Sequence, residues 1–371
     1  MIYLDNAATT KCKPSVVDVM TKYLSEEFYN PSSVYERAVS VRKDIESARQ
    51  YILNAVCASN HKLLFVSGAT EANNLIFSSA SLRAGDKVLV SMGEHPSVFE
   101  CAKHYQNKGV NVEHIKLSSD GNVDFDDFVS KMDDKVKLVL IMMVSNETGA
   151  INDIKRLCAY AKKVNNRVLF ATDGVQAFGK IEVCIDDLNV DYFVCSAHKI
   201  HGPKGVGALI YASKSKIVPM MLGGGQENTL RSGTENVAGI LGFAEATKQS
   251  IQFIDANLLK VTAIRNQIIE ELKTRGVSFV VNGDGSPYIL SLSFEGVKGE
   301  VILHILEGKG IMISTGSACS SKNSDNRILS AMGRSAKLVE GSIRLSFNAV
   351  DDYDAKFIAD EIAVAVKKFK R

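Results

Sequence analysis

No Cys-x-x-Cys pair occurs among the seven cysteines, Cys12, Cys57, Cys101, Cys158, Cys184, Cys195 and Cys319. That absence excludes the usual zinc and thioredoxin signatures, and an odd number argues against a closed disulfide framework. Most of these thiols are expected to be buried and to pack as small apolar residues, Cys319 excepted. No block of five or more basic residues stands out and the formal net charge is only +2, so bulk charge gives no sign of nucleic-acid binding. The longest apolar run, residues 138–144, is far short of the roughly 18 residues that a membrane span needs. Residues 1–12 lack the charged start and apolar core of a signal peptide. The expectation is a soluble, cytoplasmic protein with no membrane partner. No internal repeat or low-complexity segment is present. Neither a Gly-Lys-[Ser/Thr] phosphate loop nor a Gly-x-Gly-x-x-Gly after an expected strand occurs, which sets aside a Walker loop and a nicotinamide dehydrogenase.

What is present is an ordinary soluble balance, 46% hydrophobic and 23% charged, in 371 residues, enough for two domains with substantial cores. Val34, Ala38, Val41, Ile45, Ala48, Ile52 and Ala55 recur at helical steps, predicting a long amphipathic helix. Short apolar runs at 63–66, 88–90, 138–144, 168–171, 193–195 and 208–211 follow, most of them separated by helical segments. Such alternation predicts an α/β fold, a largely parallel sheet with helices on both faces. From Glu235 to about Arg275 the pattern is helical, with a break expected near Asp255-Ala256-Asn257. The remainder reads as a smaller α+β unit, with strands at 277–281, 289–294, 311–313 and 343–347, a helix at 300–307 and a C-terminal helix.

The chain is organised around Ser196-Ala197-His198-Lys199, where an apolar strand runs into a Gly- and Pro-punctuated turn. A lysine at a strand end can be an imine-forming amine, although a single lysine on a turn is usually just exposed. Ser67-Gly68-Ala69-Thr70-Glu71 is a small-residue turn opening a helix, either a capped helix or an anion site built from free N–H groups and the helix dipole. Asp173 stands at a strand end, as a helix cap or as the partner of a protonated heteroaromatic nitrogen. His95, in Gly93-Glu94-His95-Pro96-Ser97, is a turn histidine or one that stacks on a flat cofactor or shuttles protons. Asn146, in Asn146-Glu147-Thr148-Gly149, is placed to position a substrate. All five clusters follow expected strands, and in an open parallel sheet those carboxyl ends share one edge. A phosphate cradle, a ring-stacking imidazole, a carboxylate and an imine lysine together describe pyridoxal phosphate.

Two further residues stand apart. Cys319 lies among small and polar residues, Gly316-Ser317-Ala318-Cys319-Ser320-Ser321, the composition of a mobile, reachable loop; it is a candidate nucleophile or an incidental exposed thiol. Arg344 interrupts the strand-like Ser342-Ile343-Arg344-Leu345; facing inward, its planar fork suits a substrate carboxylate.

Over essentially its whole length the sequence resembles the NifS/IscS-type cysteine desulfurases, in the class V branch of fold-type I pyridoxal-phosphate enzymes. The resemblance runs through Tyr3-Leu4-Asp5-Asn6-Ala7-Ala8-Thr9-Thr10, Asn30-Pro31-Ser32-Ser33, Gly223-Gly224-Gly225-Gln226-Glu227 and Arg231-Ser232-Gly233-Thr234-Glu235-Asn236, besides the clusters above. It implies a mostly parallel seven-stranded sheet in a large domain, residues 14–255, and a small domain, residues 256–371, that carries the Cys319 loop and associates with residues 1–13. It also implies roles for single residues. Lys199 would be the Schiff-base lysine, Asp173 the partner of the ring nitrogen, Gln176 the bond to the ring hydroxyl and His95 the stacking group. Ala69, Thr70, Ser196 and His198 would hold the phosphate. Thr234 would reach the phosphate of a neighbouring subunit, which implies a homodimer. Asn146 and Arg344 would hold L-cysteine, His95 would move thiol protons, and Cys319 would carry the sulfur as a persulfide to an acceptor for iron–sulfur assembly or tRNA thiolation. Selenocysteine lysis and transamination are the alternative reactions on such a scaffold. Tyr35 and Ala38 stand where His and Gly are usual, and Asn323-Ser324-Asp325-Asn326 departs from the commoner sequence after Cys319, which bears on partner docking.

Overall fold

The computed structural model describes residues 1–315 and 327–369. Its strands, in chain order, are β1 (Ile2–Tyr3), β2 (His61–Val66), β3 (Lys87–Ser91), β4 (Asn111–Ile115), β5 (Val136–Leu140), β6 (Leu169–Asp173), β7 (Tyr192–Ser196), β8 (Gly207–Ala212), β9 (Val280–Val281), β10 (Ile289–Ser293), β11 (Ile311–Met312) and β12 (Ser342–Ser346). Seven of them form one sheet in the order β2-β8-β7-β6-β5-β3-β4. Only β8 runs against its neighbours, pairing antiparallel with both β2 and β7, while the other pairs are parallel. The carboxyl ends of β2, β3, β5, β6 and β7 therefore lie on one edge.

The sheet is covered on both faces. Phe65, Val139 and Phe170 pack into one apolar core with Ile45, Ile52 and Phe243. Their sequence neighbours Leu64, Leu140 and Ala171 enter a second core with Leu75, Ile76 and Val98. Successive strand residues point to opposite faces, so a continuous apolar run is what a doubly covered strand requires. A third core surrounds β10 and β12 and collects Leu4, Ile268, Leu292, Phe294, Ile343 and Ile358. β1 pairs in parallel with β11, and Asn6 donates to the Ser346 carbonyl, so the first residues are bound to the last third of the chain.

Several sequence expectations shift. The run at 138–144 loses its β3 partner after Leu140, where β3 ends at Ser91, while the Ile141 and Met143 amides still donate to the β6 carbonyls of Ala171 and Asp173. On the β3 side the Met142 amide donates instead to a Glu94 carboxyl oxygen at 2.8 Å. Val34, expected in the first long helix, is 93% exposed, and that helix is Glu36–Ala55. The later helical stretch breaks at Gln252 and Phe253, between the helices Val237–Ile251 and Ile254–Thr274, a little before the expected place near Asp255-Ala256-Asn257. Phe253, at φ −123° and ψ 20°, has left the helical region. Edge strand β4 was not expected, because Asn111, Glu113 and His114 mask its alternation. Of the described cysteines, Cys101, Cys158 and Cys195 are buried, Cys12 and Cys184 are partly so, and Cys57 is exposed, so burial is less general than expected. Cys319 lies outside the described residues.

Candidate active site

At the carboxyl edge of the sheet a cavity of about 690 Å³ opens, a size suited to a cofactor with its substrate. Ala69, Thr70, His95, Asn146, Asp173, Gln176, Ser196, His198, Lys199 and Arg344 all line it. Thr234 does not line it and is exposed on the same chain.

Lys199 closes the short turn Ala197–Lys199 that follows β7. Its Nζ donates to the carbonyls of Ala7 (2.6 Å) and Ala8 (2.7 Å), so the N-terminal segment fixes where the amine sits. Gly202 lets the exit fold back: a Cβ there would stand 2.8 Å from the Ala197 carbonyl oxygen. Burial, then the charges of Lys199 and Lys204, push the His198 imidazole down to about 4, which leaves it neutral near pH 7.

Asp173 is 5% exposed. Its Oδ1 accepts from the Val175 amide at 3.1 Å and its Oδ2 from Asn73 Nδ2 at 3.1 Å. Among the described residues no lysine, arginine or histidine forms an ion pair with it. A buried carboxylate held only by neutral donors is suited to a cationic ring nitrogen brought by a ligand. Asn73 Nδ2 also donates to Ser97 Oγ at 2.9 Å, and Ser97 Oγ lies 2.9 Å from His95 Nδ1. The Ser97 amide donates to that same Nδ1 at 3.2 Å. A backbone N–H can only donate, so Nδ1 is the bare nitrogen and Nε2 carries the proton of the neutral ring. Burial, with Lys199 and Arg327 adding to it against Asp173, pushes His95 below the ordinary imidazole range.

The helix Ala69–Ser79 begins at Gly68 with no side chain capping it, so its first amides face the cavity as an anion site. Gly207 makes room for that turn, since a Cβ there would lie 2.9 Å from Gly68 Cα. Ser196 and His198 line the cavity beside it. An anion cradle, a neutral imidazole, an amine and a buried carboxylate awaiting a cation thus fit pyridoxal phosphate group by group.

Arg344, on β12, is 3% exposed. Its Nη2 donates to Asp5 Oδ1 at 2.9 Å and its Nη1 to Glu147 Oε1 at 3.2 Å and the Asn146 carbonyl at 2.9 Å. Burial holds the Glu147 carboxyl above the usual range although Arg344 opposes it. Sequence reasoning chose Asn146 and passed over Glu147. Both reach the cavity because the chain there is irregular, and the neighbouring position in the same polar cluster was the available signal. Arg327, Glu94 and Asn73 were missed as well. Arg327 donates to the Met92 and Glu94 carbonyls and stacks 3.9 Å from the Phe99 ring centre, contacts that no local pattern announces.

The family pattern described as aminotransferase class-V matches residues 2–354. The chain belongs to the class-V aminotransferase family. Among class-V relatives, a protein named cysteine desulfurase IscS from Dictyoglomus turgidum is 36% identical, with all of this chain and 95% of that protein covered. Another of that name from Methanosarcina thermophila is 34% identical over 95% of this chain and 89% of its own. A solved structure described as a NifS-like protein superposes with a TM-score of 0.88 at 30% identity, covering 100% of this chain and 98% of that one. A structure of SspA in complex with cysteine superposes with a TM-score of 0.81 at 26% identity, covering 95% and 100% of the two chains. The seven-stranded sheet flanked by helices is thus the class-V fold that the sequence led one to expect.

Proposed function

We propose that this class-V protein is a pyridoxal-phosphate-dependent cysteine desulfurase that converts L-cysteine to L-alanine and retains the sulfur as a persulfide on Cys319. The observation that carries the reading is the convergence of Lys199, Asp173, His95 and Arg344 on one cavity, in a chain whose named relatives are cysteine desulfurases. When bound, the cofactor supplies a sink for the electrons released at the substrate α-carbon. Asp173 would keep its ring nitrogen charged, Gln176 would donate to its ring oxygen, and His95 would lie beside the ring. The first amides of Ala69–Ser79, with Thr70, Ser196 and His198, would hold its phosphate.

The chain's own groups do the rest. Arg344 and Asn146 take the substrate carboxylate, Arg344 exchanging its Glu147 contact for a ligand that matches its planar fork. Lys199 moves the proton at the α-carbon, and His95 Nε2 handles the thiol proton. The Cys319 thiolate attacks the substrate sulfur: an S–S bond forms, the C–S bond breaks, and its electron pair stays with the carbon skeleton, which is protonated and leaves as alanine. The sulfur then passes to an acceptor protein of iron–sulfur assembly or tRNA thiolation. In this reading the large domain is residues 14–255, the small domain is residues 256–371 with residues 1–13 attached, and the protein works in the cytoplasm. Thr234, exposed and outside the lining of its own cavity, serves the partner subunit of a homodimer. Among the described residues no helix is long and apolar enough to cross a membrane.

The test is purified protein with L-cysteine and a thiol reductant, wild type beside Cys319→Ala, measuring alanine, sulfide and the visible spectrum. Both products from yellow wild type, with a yellow but inactive variant, is the expected result. Sulfide from the variant overturns the persulfide role. Yellow protein making neither product overturns the choice of cysteine as substrate.

A further inference from the structure

One buried charge near the cavity has no part in the mechanism above. Lys180 is 6% exposed, and among the described residues no carboxylate lies within ion-pair distance of it. A lysine is seldom enclosed without a partner. Its Nζ donates at 2.6 Å to Gln176 Oε1 and stands 5.7 Å from the centre of the Tyr288 ring. Residues 175–180 form a run of turns after β6, and four residues of that run bring Nζ back over the Gln176 side chain.

Gln176 is 4% exposed and lines the cavity. Its Nε2 donates to the Ala7 carbonyl at 2.9 Å. An amide can sit either way round in a pocket, and only its partners decide. Here two independent partners demand the same orientation. A carbonyl oxygen only accepts, so it requires Nε2, and an ammonium only donates, so it requires Oε1. One Nε2 hydrogen remains for a ligand.

We propose that Lys180 is a positioning residue: with the Ala7 carbonyl it locks the Gln176 amide so that an N–H, never the carbonyl oxygen, is offered to an oxygen of the bound cofactor. The inference rests on the cavity being the pyridoxal-phosphate site. Burial and the charges of Lys199 and Arg344 push the Lys180 ammonium down to about 7; the neutral amine formed above that value still carries N–H donors for Gln176 Oε1, and the Ala7 carbonyl requires Nε2 on its side in either state. The other titratable groups near it are Tyr288, held above its ordinary range by burial, and His198 and His201, both held below theirs by burial first.

The experiment is a pH titration of the visible band of protein loaded with pyridoxal phosphate, for wild type, Lys180→Met, Gln176→Leu and the double variant. A donor to the ring oxygen draws charge from it and weakens its hold on the proton of the nitrogen that links Lys199 to the cofactor. Loss of the donor therefore raises the titration midpoint, by about 0.5–1 pH unit for one hydrogen bond. Both single variants are expected to show that rise, and the double variant is expected to show no more than either. Additive shifts mean that Lys180 acts by its own charge and overturn the positioning role. An unmoved midpoint in Lys180→Met overturns it as well. Should Lys180→Met fail to fold, Lys180→Leu carries the same expectations. A wild type with no visible band that Lys199→Ala lacks overturns the cofactor reading itself. A normal wild-type band with unshifted Lys180 variants overturns only the positioning role.

Discussion

Replacing Glu94 by glutamine is expected to stabilise the protein increasingly as the pH rises from 5 to 8. Glu94 is fully buried beneath the cavity, next to His95. Its Oε1 accepts from Ser91 Oγ at 2.5 Å and from the Met142 amide at 2.8 Å. Its Oε2 has no hydrogen-bond partner among the described residues, so nothing there solvates a second charged oxygen. Arg327 favours the charged form, but its guanidinium is spent on the Met92 and Glu94 carbonyls, and the negative charge of Asp173 opposes ionisation. Burial dominates and pushes the carboxyl from 4.5 up to about 8. Below the unfolded value both states hold the proton and nothing is lost. Above it the unfolded chain ionises while the folded one does not, so stability drains away until the folded value is passed. Over pH 5–8 the loss is roughly 3–4 kcal/mol. Glutamine keeps the acceptor oxygen and the neutral state, and so escapes the loss. Urea denaturation of wild type and Glu94→Gln at pH 5, 6, 7 and 8 measures it. Midpoints whose difference stays constant across that range would refute the reasoning and mean that Glu94 is ionised in the folded protein.

Two further variants test how the site and its surroundings are held. Asn73→Ala removes the donor that joins Asp173 Oδ2 to Ser97 and so to His95. Leaving a buried carboxylate one donor short costs about 2–3 kcal/mol. The urea midpoint should fall and pyridoxal phosphate should be lost more readily on dialysis; unchanged retention would show that Asp173 does not need this support. Arg49→Ala breaks a bidentate pair with Glu227 at 2.8 and 2.9 Å, whose carboxylate also accepts from the Phe65 amide. A buried charge left unpaired costs about 3–5 kcal/mol, and adding Glu227→Gln should recover much of that loss in thermal melts. Additive losses in the double variant would mean that the two residues act separately.

These networks also mark where sequence reading stops. The sheet was legible because its strands, β4 aside, are apolar on both faces, and the five polar clusters were legible because each follows such a strand. Lys199, Asp173, His95 and Asn146 needed only the rule that parallel strands end on one edge. Their supports follow no such rule. Asn73 sits on a helix at an ordinary polar position, yet it bridges to a residue 100 positions away. Asp5 reaches Arg344 across 339 positions, and the Ala7 and Ala8 carbonyls reach Lys199 across more than 190. Neither spacing nor periodicity encodes contacts of that kind; those of residues 5–8 exist because β1 adds to β11 and brings the first residues along the wall of the cavity. The same segment that holds the Lys199 amine also accepts the Gln176 amide at Ala7. Two cavity-lining groups from different loops therefore share one carbonyl as their reference point. A shift of the N-terminal strand moves both together, and this makes residues 5–8, which bear no chemistry of their own beyond Asp5, part of the geometry of the site.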